Sequence, residues 1–131
     1  MKILTSIASA CAILVAWGGG AAHAAPAKMA VSFTWCGTAT PATKVTGIPA
    51  GTAILRFRLR DHQAPSYPHG GGEYPAAGRS VSIPCGGLKA SNFDGPHPPP
   101  PQIHDYEWTV SALNAKGTLI ATASSIRKFP Q

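Results

Sequence analysis

The chain has 131 residues, with eleven Lys and Arg against five Asp and Glu, which gives a formal net charge of +6. A chain of this length predicts one domain, and its positive balance favours anionic ligands or surfaces as partners. The strand face that carries Arg56, Arg58 and Arg60 has no aromatic side chain, so we expect no nucleic-acid partner.

The first 24 residues have the pattern of a secretory signal peptide. Lys2 precedes an uncharged apolar run at residues 3–17, and residues 22–24 form an A-x-A cleavage signal. The apolar run is shorter than the roughly 20 residues that a helix needs to cross a bilayer. We therefore expect cleavage after Ala24, a mature domain of residues 25–131, and a periplasmic or secreted protein. A lipobox at Cys11 is the alternative.

Two cysteines remain in the predicted mature domain, Cys36 and Cys85. In an oxidising compartment an even pair predicts a disulfide, which would close a loop of about 50 residues and contribute about 4 kcal/mol in the chain-entropy model. Neither cysteine lies in a recognisable nucleophile motif, which disfavours a catalytic thiol.

Alternation of apolar and polar residues predicts strands throughout the mature chain. The predicted strands are residues 30–35, 52–60, 79–84, 106–113 and 118–124, the last two joined by a hairpin turn at residues 114–117. Prolines and glycines predict loop and edge structure at residues 38–51 and a long irregular loop at residues 63–78. No stretch predicts a helix, so the expected class is all-β, mostly antiparallel, with long Pro/Gly-rich loops.

The strand at residues 52–60 places an arginine stripe, Arg56, Arg58 and Arg60, on the face opposite its apolar residues. By the same parity Asp61 belongs to the apolar face, where a carboxylate is costly unless hydrogen-bond donors lie nearby. The stripe is interpreted either as a solvated strand face or as a basic surface for an acidic partner or an anionic membrane.

A second stretch supplies suitable donors for Asp61. Residues 98–101 are four prolines, which form a stiff rod that cannot join a sheet interior. After the rod, His104, Tyr106 and Trp108 share one face of a predicted strand. His104 and Tyr106 are then candidate partners of Asp61. The alternative is an ordinary half-buried strand, in which the histidine has a structural hydrogen-bond partner and the tyrosine lies between the core and the solvent.

Five segments in this order resemble the phosphatidylethanolamine-binding proteins, the Raf-kinase-inhibitor-like family, and in particular its bacterial exported members. The segments are Thr40-Pro41, GIPAGT at residues 47–52, D-x-x-A-P at 61–65, G-P-x-P-P at 95–99 and H-x-Y at 104–106. In that family the Asp, the His and the Tyr, with a further His, line a small pocket for phosphate-type head groups. The resemblance implies a pocket of Asp61, His104 and Tyr106, with the Gly95 backbone at its rim.

The sequence departs from the family pattern at two places. The usual D-P-D-A-P has Gln63 in place of its second carboxylate, and the W-x-H-W strand that supplies the further histidine is missing. Residues 67–74, YPHGGGEY, stand where that strand is expected. His69 is the candidate in this segment for the missing pocket histidine.

The resemblance implies a binding protein without a cofactor, not an enzyme, whose ligand is a phosphate-type anion or a phospholipid head group. The alternative is a protein-interaction or enzyme-inhibitor module that uses the arginine stripe. The histidine spacings match no compact metal motif, so we expect no metal. If a metal were bound, the expected ligands would be His62, His69, His104 and Asp61.

Overall fold

The computed structural model describes residues 19–20, 28–89 and 91–131. Apart from Gly19 and Gly20, the predicted signal peptide lies outside the described residues, as does its cleavage site after Ala24. No helix in the described part of the chain is long and apolar enough to cross a membrane.

The described residues form two antiparallel sheets, which confirms the all-β prediction. One sheet has the strand order β1-β2-β5, and the other has the order β4-β3-β6-β7. The strands are β1 Ala30–Cys36, β2 Ala39–Thr46, β3 Ile54–Asp61, β4 Gly71–Pro75, β5 Val81–Ile83, β6 His104–Leu113 and β7 Leu119–Phe129.

The core lies where the inner faces of the two sheets meet. Trp108 of β6 is fully buried and stacks on Phe57 of β3, with ring centroids 5.4 Å apart. Its indole Nε1 donates to the hydroxyl of Thr43 in the other sheet at 3.1 Å. Fully burying one such side chain contributes about 2–3 kcal/mol, so these aromatic residues hold the sheets together.

The prediction of loop and edge structure at residues 38–51 is wrong, because β2 runs through this segment as the central strand of its sheet. Pro41 is tolerated there for a local reason. The β1–β2 register shifts between Thr34 and Cys36, and β5 pairs with β2 from Thr43 onward. The missing N–H of Pro41 therefore falls at an irregularity of the ladder.

The predicted loop at residues 63–78 is also interrupted by a strand, β4. Its glycines allow close approach to β3 and do not form a phosphate cradle. A Cβ on Gly71 would lie 1.8 Å from the carbonyl oxygen of Phe57, so only glycine fits. The arrangement brings the glycine segment, and His69 before it, against the end of β3.

The predicted disulfide is confirmed. Cys36 and Cys85 are bonded, with Cα atoms 5.8 Å apart, and join the end of β1 to the segment after β5. The predicted hairpin between β6 and β7 is also present. The Asn114 side chain accepts hydrogen bonds from the backbone N–H groups of Lys116 and Thr118, both at 2.9 Å, which closes the turn.

Candidate functional site

A polar cluster lies at one end of the four-stranded sheet, where β3 ends and β6 begins. Because these strands are antiparallel neighbours, Asp61 at the end of β3 is paired with Tyr106 near the start of β6. His104 precedes Tyr106 by two residues and shares its inward face. All three side chains are buried, which confirms the parity prediction that they face inward and meet.

Asp61 is the centre of this cluster. The Nδ1 of His104 donates to Oδ2 of Asp61 at 2.6 Å, and the backbone N–H groups of Gln63 and Ala64 donate to Oδ1 at 2.8 and 3.0 Å. The Tyr106 hydroxyl also favours the ionised form of this carboxylate. Burial opposes ionisation, but these hydrogen bonds outweigh it and hold the pKa of Asp61 below its ordinary value.

Tyr106 is 1% exposed and turns its hydroxyl inward. Burial, followed by the hydrogen bond to the Asp61 carboxylate, raises the pKa of Tyr106 far above its ordinary value. The phenol therefore stays protonated and acts as a fixed donor.

His69 reaches the cluster from the segment between β3 and β4. Its Nδ1 donates to the carbonyl oxygen of Asp94 at 2.8 Å, and the backbone N–H of Asp94 donates to the carbonyl of His69 at 2.8 Å. These bonds leave the Nε2 of His69 3.9 Å from Oδ2 of Asp61, and the ring packs edge-on against Tyr106. The structure thus brings His69, Asp61, His104 and Tyr106 together.

His104 connects the cluster to the surface. Its Nε2 lies 2.8 Å from Oε1 of Gln102, so each ring nitrogen has an oxygen within hydrogen-bonding distance. His104 also lines a cleft of about 600 Å³. It is lined by Gln63, Ala64, Pro99, Gln102, Ile103 and His104.

Gly95 lies beside the cluster and is buried. A Cβ at this position would lie 2.7 Å from the carbonyl oxygen of Thr38, so the residue allows the proline-rich segment to pack against the β1–β2 turn. Its own carbonyl accepts a hydrogen bond from Nδ1 of His97 at 2.7 Å. Gly95 therefore positions this segment through packing and does not face the cleft.

Sequence reasoning predicted His69 but missed the two rings that pack around it, those of Tyr67 and His97. Tyr67, His69 and His97 pack ring against ring, with centroids 4.6 to 5.7 Å apart, and the Tyr67 hydroxyl donates to Asp94 at 2.5 Å. These residues lie in irregular segments, where no periodicity exists to reveal which side chains converge. Gln102 was also missed, although it precedes His104 by two residues.

His62 lies apart from the cluster because its parity is opposite to that of Asp61. Its Nε2 donates to Oε2 of Glu107 on the outer face at 2.7 Å. Among the described residues, no group of three or more His, Cys, Asp or Glu side chains is placed to hold a metal ion. The ligand set of His62, His69, His104 and Asp61 is therefore not assembled.

The arginine stripe lies on the outer face of the same sheet. Arg56 pairs with Glu73 at 2.8 Å, and the register places Arg58 beside Thr109 and Arg60 beside Glu107. The loop after β3 overhangs this face and forms a cleft of about 510 Å³. Its lining consists of the three arginines, Leu59, Pro65, Tyr67, Pro68, His69, Glu107, Thr109 and Ser111.

No protein-family model matches the sequence, and no curated protein matches it significantly. Two solved structures are similar. Escherichia coli YbcL, a member of the mammalian PEBP family, has a TM-score of 0.59 and 19% identity over 79% of this chain and 98% of its own. A putative phosphatidylethanolamine-binding protein homolog from Chlamydia trachomatis has a TM-score of 0.58 and 12% identity over the same shares. At this level of identity the similarity establishes the architecture, and the chain therefore has the fold of the phosphatidylethanolamine-binding proteins.

Proposed function

We propose that the cluster around Asp61 binds small phosphate-type anions through His104. The observation that carries this proposal is the position of the imidazole between an inner and an outer oxygen. Asp61 holds Nδ1 from inside at 2.6 Å, and an oxygen of Gln102, which also lines the cleft, lies 2.8 Å from Nε2. A donor that is held in place by a buried carboxylate is suited to a charged acceptor.

The walls of the cleft fit the remainder of such a ligand. Pro99, Ile103 and Ala64 offer apolar surface beside the polar end of His104, and Ile103 is 56% exposed. A free phosphate would use only the polar end, whereas a phospholipid head group would also contact these walls. In both ligands a phosphoryl oxygen would bond to Nε2 of His104.

The test of this function is a titration of the purified protein with inorganic phosphate and, separately, with phosphoethanolamine, followed by calorimetry. We expect His104→Ala to weaken binding at least about tenfold, because it deletes a charge-assisted hydrogen bond. His62→Ala is the matched control, since His62 also bonds a carboxylate but lies on the outer face. Equal affinities of wild type and His104→Ala, or a folded wild type that binds neither probe, would refute the proposal.

We also propose that the protein is exported and acts as a binding protein without turnover. The signal-peptide pattern of residues 1–24 supports export, and so does the Cys36–Cys85 disulfide, because such bonds persist in oxidising compartments. N-terminal sequencing of the protein from the periplasmic or culture fraction should begin at Ala25. A start at an acylated Cys11 would indicate a lipoprotein instead.

A second candidate function is the docking of an acidic protein segment on the arginine cleft. Arginines at alternate positions of a strand are about 6.7 Å apart, which is also the repeat of same-face side chains in an extended peptide. The overhang of Tyr67 and Pro68 makes this face concave, which suits a strand better than a flat bilayer. The Arg56–Glu73 pair is exposed, so exchanging it for a partner carboxylate costs little.

The docking candidate can be tested with a peptide of alternating Glu and Ser, measured by fluorescence anisotropy at low and high salt. We expect Arg58→Glu to reduce binding at least about tenfold, because it replaces an attraction by a repulsion. Arg127→Glu is the control, since Arg127 lies over the Phe33 ring away from the cleft. Equal loss in both variants would indicate a general charge effect, and binding to phosphatidylserine vesicles but not to the peptide would favour a membrane.

A further inference from the structure

The Gln102 side chain occupies the outer hydrogen-bonding position of His104. Its Oε1 lies 2.8 Å from Nε2 of the imidazole, while the other ring nitrogen is held by Asp61 at 2.6 Å. Both ring nitrogens thus have an oxygen partner. The amide oxygen of Gln102 lies where the oxygen of a bound anion would have to lie.

The two bonds of His104 differ in how easily they can be exchanged. Asp61 is 3% exposed and is fixed by further donors from Gln63 and Ala64. Gln102 is exposed, and among the described residues its amide has only the bond to His104. The inner bond is therefore permanent, and the outer bond can be replaced by a ligand.

The main chain at Gln102 does not have to move for this exchange. Its backbone N–H donates to the carbonyl of Pro99 at 2.9 Å, and the proline run at residues 98–101 stiffens the approach to it. A rotation of the exposed side chain alone uncovers Nε2, and such rotations are fast.

We infer that Gln102 is a built-in competitor that sets both the affinity and the ligand class of the His104 site. This inference rests on the proposed anion function of the same cluster. A neutral ligand oxygen gains nothing over the amide oxygen that it displaces. A phosphate oxygen carries negative charge and therefore forms a stronger bond with Nε2 than the neutral amide oxygen does. The competitor thereby excludes neutral acceptors and admits phosphate-type anions.

Gln63 provides a matched control in the same cleft. It also lines the cleft, but its Oε1 accepts from the backbone N–H of Asp105 at 2.8 Å and its Nε2 donates to the Asp105 side chain at 3.3 Å. Gln63→Glu therefore adds a charge near the site without placing an oxygen on Nε2 of His104. Gln102→Glu adds the same charge but places a carboxylate oxygen next to Nε2 of His104.

The experiment combines a phosphate titration by calorimetry with the imidazole ¹H–¹⁵N spectrum of the full chain. Gln102→Ala should bind inorganic phosphate about two- to tenfold more tightly than wild type, because a net hydrogen bond no longer opposes the ligand. Gln102→Glu should bind at least about tenfold more weakly, since a tethered carboxylate acts at high effective concentration. Gln63→Glu should lie between wild type and Gln102→Glu.

The outcomes separate this inference from the proposed function. In the spectrum, Gln102→Ala should shift the His104 ring signals in the absence of phosphate, and Gln63→Glu should leave them nearly unchanged. Equal phosphate affinities of wild type and Gln102→Ala would overturn the competitor and leave the anion site standing. Ring signals that respond to Gln102→Ala, together with no phosphate binding by any variant, would overturn the anion site itself.

Discussion

The two faces of β3 carry charges of opposite sign in opposite surroundings. On the inner face Asp61 is 3% exposed and accepts three hydrogen bonds. On the outer face Arg56, Arg58 and Arg60 project into solvent and one of them pairs with Glu73. A buried charge must have its partners fixed by the fold, whereas exposed charges remain available to a partner.

The largest expected effect comes from breaking the inner cluster. Asp61→Ala leaves His104, Tyr106 and two backbone N–H groups without their acceptor, and breaking a buried pair in this way costs about 3–5 kcal/mol. That is a large part of the stability of a small domain. Urea unfolding should show the loss, and Asp61→Asn, which keeps an acceptor oxygen, should lose less. Unchanged unfolding midpoints would contradict the view of Asp61 as the centre of the cluster.

A smaller effect is expected when one donor of the inner cluster is deleted. Tyr106→Phe removes the phenol hydroxyl but keeps the buried ring, and Asp61 keeps its bonds from His104, Gln63 and Ala64. We expect a loss of about 1 kcal/mol in the free energy of unfolding. A loss as large as that of Asp61→Ala would mean that the phenol, and not the imidazole, is the principal partner of the carboxylate.

The loss of folding stability at low pH should also distinguish the two faces of β3. The folded protein holds the pKa of Asp61 below the ordinary 3.8, so its stabilising contribution is complete above that value and is lost as the pH falls through the lower folded pKa. Between pH 2 and 6, the free energy of unfolding should therefore decrease less steeply with falling pH in Asp61→Asn than in wild type. Glu107→Gln is the comparison on the outer face, because the hydrogen bond from His62 also lowers the pKa of Glu107. Identical slopes for wild type and Asp61→Asn would exclude a contribution from Asp61.

The smallest effect on stability is expected on the outer face. Arg58→Ala removes an exposed side chain that lies between Thr109 and Gly71, so the free energy of unfolding should change by less than about 0.5 kcal/mol. The same variant should leave phosphate binding at His104 close to wild type at physiological salt, where exposed charges are screened. A strong loss of phosphate affinity would show that the two faces act as one site.

The sequence by itself determined the features that depend on local order. Alternation in β3 placed Asp61 opposite the arginines, and the same rule put His104 and Tyr106 on one face. These two predictions succeeded because the parity of side chains along a strand is fixed by the backbone alone. The disulfide prediction succeeded because the predicted mature domain contains only the cysteines Cys36 and Cys85.

Only the tertiary structure decided which distant segments complete the site. β2 forms as a central strand despite Pro41 because the β1–β2 register is irregular there, which no local pattern discloses. His69 reaches Asp61 because its backbone and its ring are both tied to Asp94, 25 residues away. Gln102 meets Nε2 of His104 only because Asp61 holds the other side of that ring, and Asp61 precedes His104 by 43 residues. Such contacts depend on the register between strands and on loop packing, and neither is encoded in the periodicity of a single segment.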